Sequence, residues 1–448
     1  MTQIAPGADL HAVRATVVDF SDDPQHVGSS ALRHIEDGLL VLRDGHIERR
    51  GTALDLLAQL PPGTPVDDCS GSILMPGFVD AHIHYPQTDI IASHGKQLMD
   101  WLNIYTFPAE GRFADIDYAR SVAGFFLDQL LRNGTTTAAV YPTVHKHSAG
   151  VLFEAAQARR MRLITGKVMM DQQSPQFLSD SAQSSYEDSA ELIERWHGRD
   201  RLTYAVTPRF AITSSREQLR FAARLLDQYP GVRMQTHIAE NHTEIRLVAE
   251  MFPDSRDYLG VYEDFGLVRP GGLFGHCIHF DQSAWSRFAA AGAVAVHCPT
   301  SNLFLGSGLF DIDAARGVGA RMALATDVGG GTSFSMLQTM NEAYKVAQMG
   351  GHPFTSLDGF YMATLGGARG LGLDAQIGNL DVGKEADFIV LNPRATPLLE
   401  RRMEQARTLA EKLFVLMILG DDRAVRTTAI LGNTAFPQAC TSAAGHLP

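Results

Sequence analysis

MPGFVDAHIH, residues 75–84, is an apolar run that ends on two histidines spaced two apart. In an extended strand alternate side chains share a face, so His82 and His84 can reach one ion from the end of a single strand. Seven further short apolar runs follow: TTTAAVYP (135–142), MRLITGKVMM (161–170), LTYAVTPRF (202–210), VRMQTHIAE (232–240), GGLFGHCIHF (271–280), AVAVHCPTSN (293–302) and MALATDVGGG (322–331). Amphipathic stretches such as AGVLFEAAQARR (149–160) and REQLRFAARLLDQY (216–229) lie between them. Eight strand-then-helix units predict an α/β fold, a (β/α)8 TIM barrel.

Outside the barrel the texture changes. AVRATVVDF, GLLVLRDGHIERRG and the PPGTP loop before residue 75 alternate short β-branched runs with turns, with one short helix expected near residues 54–60. GNLDVGKEADFIVLN (378–392) and RAVRTTAILGNTAF (423–436) return to that texture with few helical features. Both ends are therefore expected to build one small β-sandwich domain, residues 1–75 and 376–448, beside a barrel of residues 76–375. The extreme ends, before residue 10 and after 436, carry no functional signal.

Composition narrows the class. The 448 residues are 45% hydrophobic and 20% charged, with a formal net charge of −12. Basic residues cluster only in pairs such as Arg49-Arg50 and Arg401-Arg402, which argues against binding nucleic acid through its phosphates. No stretch approaches the roughly 18 apolar residues of a membrane span, and the start lacks a secretory pattern. The four cysteines, at 69, 277, 298 and 440, form no CxxC pair, so neither a disulfide framework nor a thiolate metal site is indicated. These features point to a reducing compartment, the cytoplasm.

Chemistry concentrates at the ends of the apolar runs, where a TIM barrel assembles its active site. His82 and His84 close the first run, His237 the fifth, His276 the sixth and Asp327 the eighth. An HxH pair alone recurs by chance; its joint placement with the other strand-end residues is what points to a metal. Imidazole and carboxylate suit a catalytic zinc that keeps one position open for water. His279, three residues after His276, competes with it on sequence alone, and His276 ends the apolar run more directly. Glu240 follows His237 by three, within reach of a metal without ligating it, and a carboxyl there can shuttle protons. TDVGGG (326–331) is a tight turn whose glycines allow close backbone approach, and it lacks the GxGxxG spacing of a dinucleotide site.

PGFVDAHIH, THIAE, GHC and TDVGGG resemble the amidohydrolase superfamily from about residue 35 to 435. Narrower motifs, HYPQ (84–87), DWLNIYTFPAEGRF (100–113), TPRF (207–210), HCPTSN (297–302) and TDVGGGTSFSM (326–336), are similar to the guanine deaminase family within it. That resemblance implies one Zn2+ per chain on His82, His84, His237 and Asp327, with His276 against the attacking water and the substrate. It further implies catalytic roles for Glu240, His276 and Asp327. Gln87, Arg209 and Phe210 would hold a purine base and Trp101 line the pocket, with His84, His237, Glu240 and Asp327 also touching it. The implied reaction removes the C2 amine of guanine to give xanthine and ammonia, a step of guanine degradation, in a homodimer. A fourth strand ending in TPRF offers no lysine for a carbamylated bridge between two metals, while Lys167 on the third run keeps that question open. Another aminated heterocycle (a pterin, cytosine, an adenine derivative or a triazine) is the alternative substrate, and a catalytically inactive scaffold the alternative role.

Overall fold

The computed structural model describes residues 9–94 and 97–436; the extreme ends discussed above lie outside them. The eight apolar runs become eight successive parallel positions of one sheet, with strands at Phe78–His84, Thr135–Tyr141, Arg162–Thr165, Leu202–Pro208, Arg233–Ile238, Gly272–His276, Val294–His297 and Arg321–Leu324. The first two are buried along their whole length, as strands covered on both faces must be. Ala139, Ile164, Ala205, Leu273, Val296 and Ala323 come from opposite sides of the ring yet share one hydrophobic cluster, which is therefore the barrel interior. The ring is drawn together between its first and last strands: Asp80 accepts from the Thr326 amide at 3.1 Å, and the Asp327 amide donates to the His82 carbonyl at 2.9 Å.

The third run is interrupted. A Cβ on Gly166 would lie 1.9 Å from the Ala205 carbonyl oxygen, so the chain passes its neighbour too closely for a regular ladder and resumes only at Val168–Met169.

The chain ends build a seven-stranded mixed sheet, and they meet where Val66–Pro76 pairs antiparallel with Phe388–Leu391. Val13, Leu40, Leu74, Phe388 and Ala429, from five of its strands, share one core. Beneath the barrel, Arg201 donates to Glu385 at 2.8 Å and also pairs with Asp387, tying the two parts together. The short helix expected near residue 54 spans Ala53–Leu57. Two helices between the tail strands have no counterpart in the sequence reading: the short Pro397–Met403, and Leu409–Leu419, which carries a Thr408 capping box and packs on the helices Met336–Gly350 and Ser356–Met362. The almost wholly apolar sequence of Leu409–Leu419, LAEKLFVLMIL, hides the helical period. Among the described residues no helix is long and apolar enough to cross a membrane. Cys277 and Cys298 are free buried thiols, whereas Cys69 takes part in a disulfide that the cysteine spacing does not signal.

Candidate active site

The strand ends converge on one small cavity. His84, His237, His276, Glu240 and Asp327 line it together with Gln87, Trp101, Arg209 and Phe210, and His82 lies directly behind. Two of these residues and two of their chain neighbours hold a backbone that side chains rarely adopt: φ is 74° at His276 and 49° at Asp327, 50° at Ala239 and 53° at Cys277. Such left-handed turns just past the strands aim side chains inward and cluster at functional sites.

The His84 Nε2 atom lies 3.3 Å from that of His82 and 3.1 Å from that of His237, while Asp327 Oδ1 is 3.4 Å from His82 and 3.5 Å from His84. Donors about 2.0–2.1 Å from one tetrahedral ion sit about 3.3 Å apart, so the spacing fits a shared divalent metal. Burial above all, then neighbouring charges, holds all three imidazoles well below the usual histidine range, keeping them neutral and ready to ligate. The second ring nitrogen of His237 donates to the Arg209 carbonyl at 2.7 Å, which turns Nε2 toward the cluster. Gly275 makes the room: a Cβ there would meet the His82 ring at 2.8 Å.

Sequence reasoning misses Cys298, whose sulfur lies within 4.8 Å of donor atoms on His82, His276 and Asp327. Burial pushes its thiol well up, and a protonated thiol is a poor ligand. Lys167, the residue that leaves a second metal open in the sequence, is buried and ion-paired with Asp180.

Glu240 faces His276, with Oε2 3.3 Å from Nε2, and accepts from the Ser307 hydroxyl at 3.2 Å. Burial, reinforced by the charge of Asp327, pushes Glu240 up to about 8; burial alone pushes Asp327 up to about 6. His276 Nδ1 lies 2.9 Å from Asn302 Oδ1, so it carries the proton and leaves Nε2 toward the cavity as an acceptor. His279 turns away to the Ser307 carbonyl at 3.0 Å, which separates it from His276.

The opposite wall comes from connecting segments. Gln87 lies on the 3-10 helix after the first strand, and Trp101 ends a helical turn at Leu98–Trp101 that runs into a π-helical turn at Leu102–Thr106. Arg209 follows the fourth strand. Behind this wall sits Glu110, fully buried, accepting from Arg209 Nη1 at 2.7 and 2.9 Å and from Gln87 Nε2 at 3.2 Å. Glu110 falls inside DWLNIYTFPAEGRF, yet the sequence assigns it no role; an acidic residue on a helical turn gives no sign of its partner. The glycine turn also finds its reason, since a Cβ on Gly329 would lie 1.9 Å from Gln87 Oε1 and one on Gly330 2.5 Å from Ser301 Oγ.

Barrel, strand-end cluster and cavity together describe a metal-dependent hydrolase. The pattern of the Amidohydrolase family matches residues 73–435, and the chain belongs to that family. It is 49% identical over 430 residues to a guanine deaminase of Escherichia coli (strain K12), covering 95% of this chain and 98% of that protein. A probable guanine deaminase of Deinococcus radiodurans is 40% identical over 433 residues, covering 94% and 98%. Among solved structures, an E. coli guanine deaminase superposes with a TM-score of 0.93 at 48% identity, covering 95% of this chain and 99% of the other. A guanine deaminase from C. acetobutylicum with guanine bound in its active site superposes with a TM-score of 0.86 at 29% identity, covering 96% and 100%.

Proposed function

We propose that the chain is a guanine deaminase that hydrolyses the C2 amine of guanine to xanthine and ammonia. The observation that carries this reading is one small cavity with metal-capable histidines and Glu240 on one wall and the Arg209–Gln87 pair on the other. His82, His84, His237 and Asp327 would hold one Zn2+, which when bound supplies Lewis-acid activation of the attacking water. Asp327 and His276 orient that water and take its proton as the oxygen bonds to C2. Glu240, whose carboxyl burial holds well above the usual range and so favours its acid form, delivers a proton to N3. The proton taken from the water then passes to the departing nitrogen as the C2–N bond breaks and ammonia leaves, while the proton on the new C2 hydroxyl returns to Glu240 as the C2 carbonyl of xanthine forms.

Arg209 donates to the O6 carbonyl, Gln87 bonds the adjacent ring edge, and Phe210 and Trp101 pack on the base. Adenine would set an amine against the Arg209 donor, and a site built on polar contacts rejects such a mismatch strongly. The same reading carries a cytoplasmic homodimer acting in guanine breakdown, supported by the resemblance to guanine deaminases; sedimentation of the purified protein checks the dimer.

The test is ammonia release from guanine beside adenine, cytosine and a pterin, with zinc-loaded protein and a His82→Ala control. Turnover of guanine alone, lost in the control, is the expected result; preference for another base would replace the substrate assignment.

A further inference from the structure

We propose that Glu110 is the positioning residue that sets the hydrogen-bonding pattern of the base-reading wall, an inference that rests on the reading of Arg209 and Gln87 as the residues that meet the base. Glu110 does not line the cavity; it lies behind both side chains and is fully buried. Its carboxylate accepts twice from Arg209 Nη1, at 2.7 and 2.9 Å, and once from Gln87 Nε2, at 3.2 Å. The helix Phe107–Gly111 that carries it thereby joins two barrel connections that are far apart in sequence.

Three physical consequences follow from this arrangement. The buried guanidinium is neutralised, so the wall as a whole suits an uncharged base; a buried cation without its partner would be costly. The two contacts to Nη1 anchor the guanidinium from behind and leave its other nitrogens for a ligand acceptor. Finally, the Gln87 amide loses its freedom to flip, because its oxygen turned toward Glu110 would oppose another acceptor. The far side of that amide is equally constrained, since Gln87 Oε1 is packed where only a glycine, Gly329, fits. A fixed cationic donor beside an amide of fixed orientation matches a purine edge with a carbonyl at C6 and an N–H at N1. In this protein, selection of a 6-oxopurine is therefore made by a residue that never touches it.

The experiment compares guanine with 2-aminopurine, which keeps the C2 amine and lacks both the O6 carbonyl and the N1–H. Guanine kcat and KM are measured together with the dissociation constant of 2-aminopurine from its fluorescence, in Glu110→Gln, Glu110→Asp and Arg209→Met, with zinc content determined for each. In Glu110→Gln, guanine KM should rise about 100-fold while 2-aminopurine binding stays within about twofold. Glu110→Asp, which keeps the charge, should recover part of that loss and serves in its place if the glutamine variant does not fold. Equal weakening of both ligands, or no change in guanine KM, would overturn the proposal provided Arg209→Met weakens guanine selectively. If Arg209→Met leaves the preference for guanine intact, the underlying assignment of Arg209 fails and the role of Glu110 falls with it.

Discussion

The two walls of the cavity are built differently. His82, His84, His237, His276 and Asp327 project from the ends of barrel strands, where the ladder and the buried interior fix the backbone. Gln87, Trp101 and Leu102 project from the connection after the first strand, a succession of 3-10, α and π turns. The first wall gains its precision from the sheet. The second needs a separate device, a buried carboxylate joining two connections, because loops alone hold side chains less firmly. On the proposed function, chemistry belongs to the sheet and selectivity to the connections, and that division can be broken by substitutions on either side.

The largest effect belongs to the strand-end wall. Glu240→Gln keeps the shape of the side chain and removes its proton, so kcat should fall by about 10³–10⁴-fold while zinc content stays at the wild-type level. Because the acid form is the working one, activity that depends on this proton is present at lower pH and lost as pH rises through the Glu240 pKa, which burial has raised. A kcat within tenfold of wild type would remove Glu240 from the chemistry. On the other wall, Gly329→Ala places a methyl group where Gln87 Oε1 now lies. Guanine KM should rise about 100-fold as the Gln87 contact is lost, with zinc content unchanged; loss of metal instead would show that the walls are not independent.

The contrast also explains what can be read in the sequence. Strand ends repeat a rule, an apolar run closing on a polar residue, so His82, His84, His237, His276 and Asp327 stand out from the amino-acid order alone. Barrel periodicity and the return of strand texture at the tail are legible for the same reason. Arg209, Phe210, Gln87 and Trp101 emerge only through resemblance, since nothing in TPRF or HYPQ states that the two segments meet. Glu110 and Asn302 are invisible as actors because their meaning lies in partners 99 and 26 residues away. The helix at Leu409–Leu419 escapes detection because a helix that is apolar on nearly all sides shows no period.

Smaller effects sharpen the division. Asn302→Ala leaves His276 Nδ1 without its acceptor at 2.9 Å, freeing the ring to rotate or change tautomer. A support of this kind is worth about tenfold in kcat, and guanine KM should hardly move; a change in KM alone would place His276 with the base-reading residues.

Trp101 provides the smallest and most discriminating case. Its indole is almost wholly buried in the cavity wall, yet its Nε1–H has no acceptor among the described residues. A buried donor left unpaired is costly, and at a binding site the missing acceptor is supplied by the ligand or by water. Trp101→Phe removes that donor and trims the ring while keeping an aromatic face, so guanine KM should rise about fivefold with kcat unchanged. Xanthine, which keeps the O6 and N7 acceptors but not the C2 amine, should lose product inhibition by a similar factor if the donor reads the part of the base distant from C2. A fall in kcat at constant KM would mean that this connection orients the reacting carbon as well, and the separation of chemistry from selectivity would then fail at Trp101.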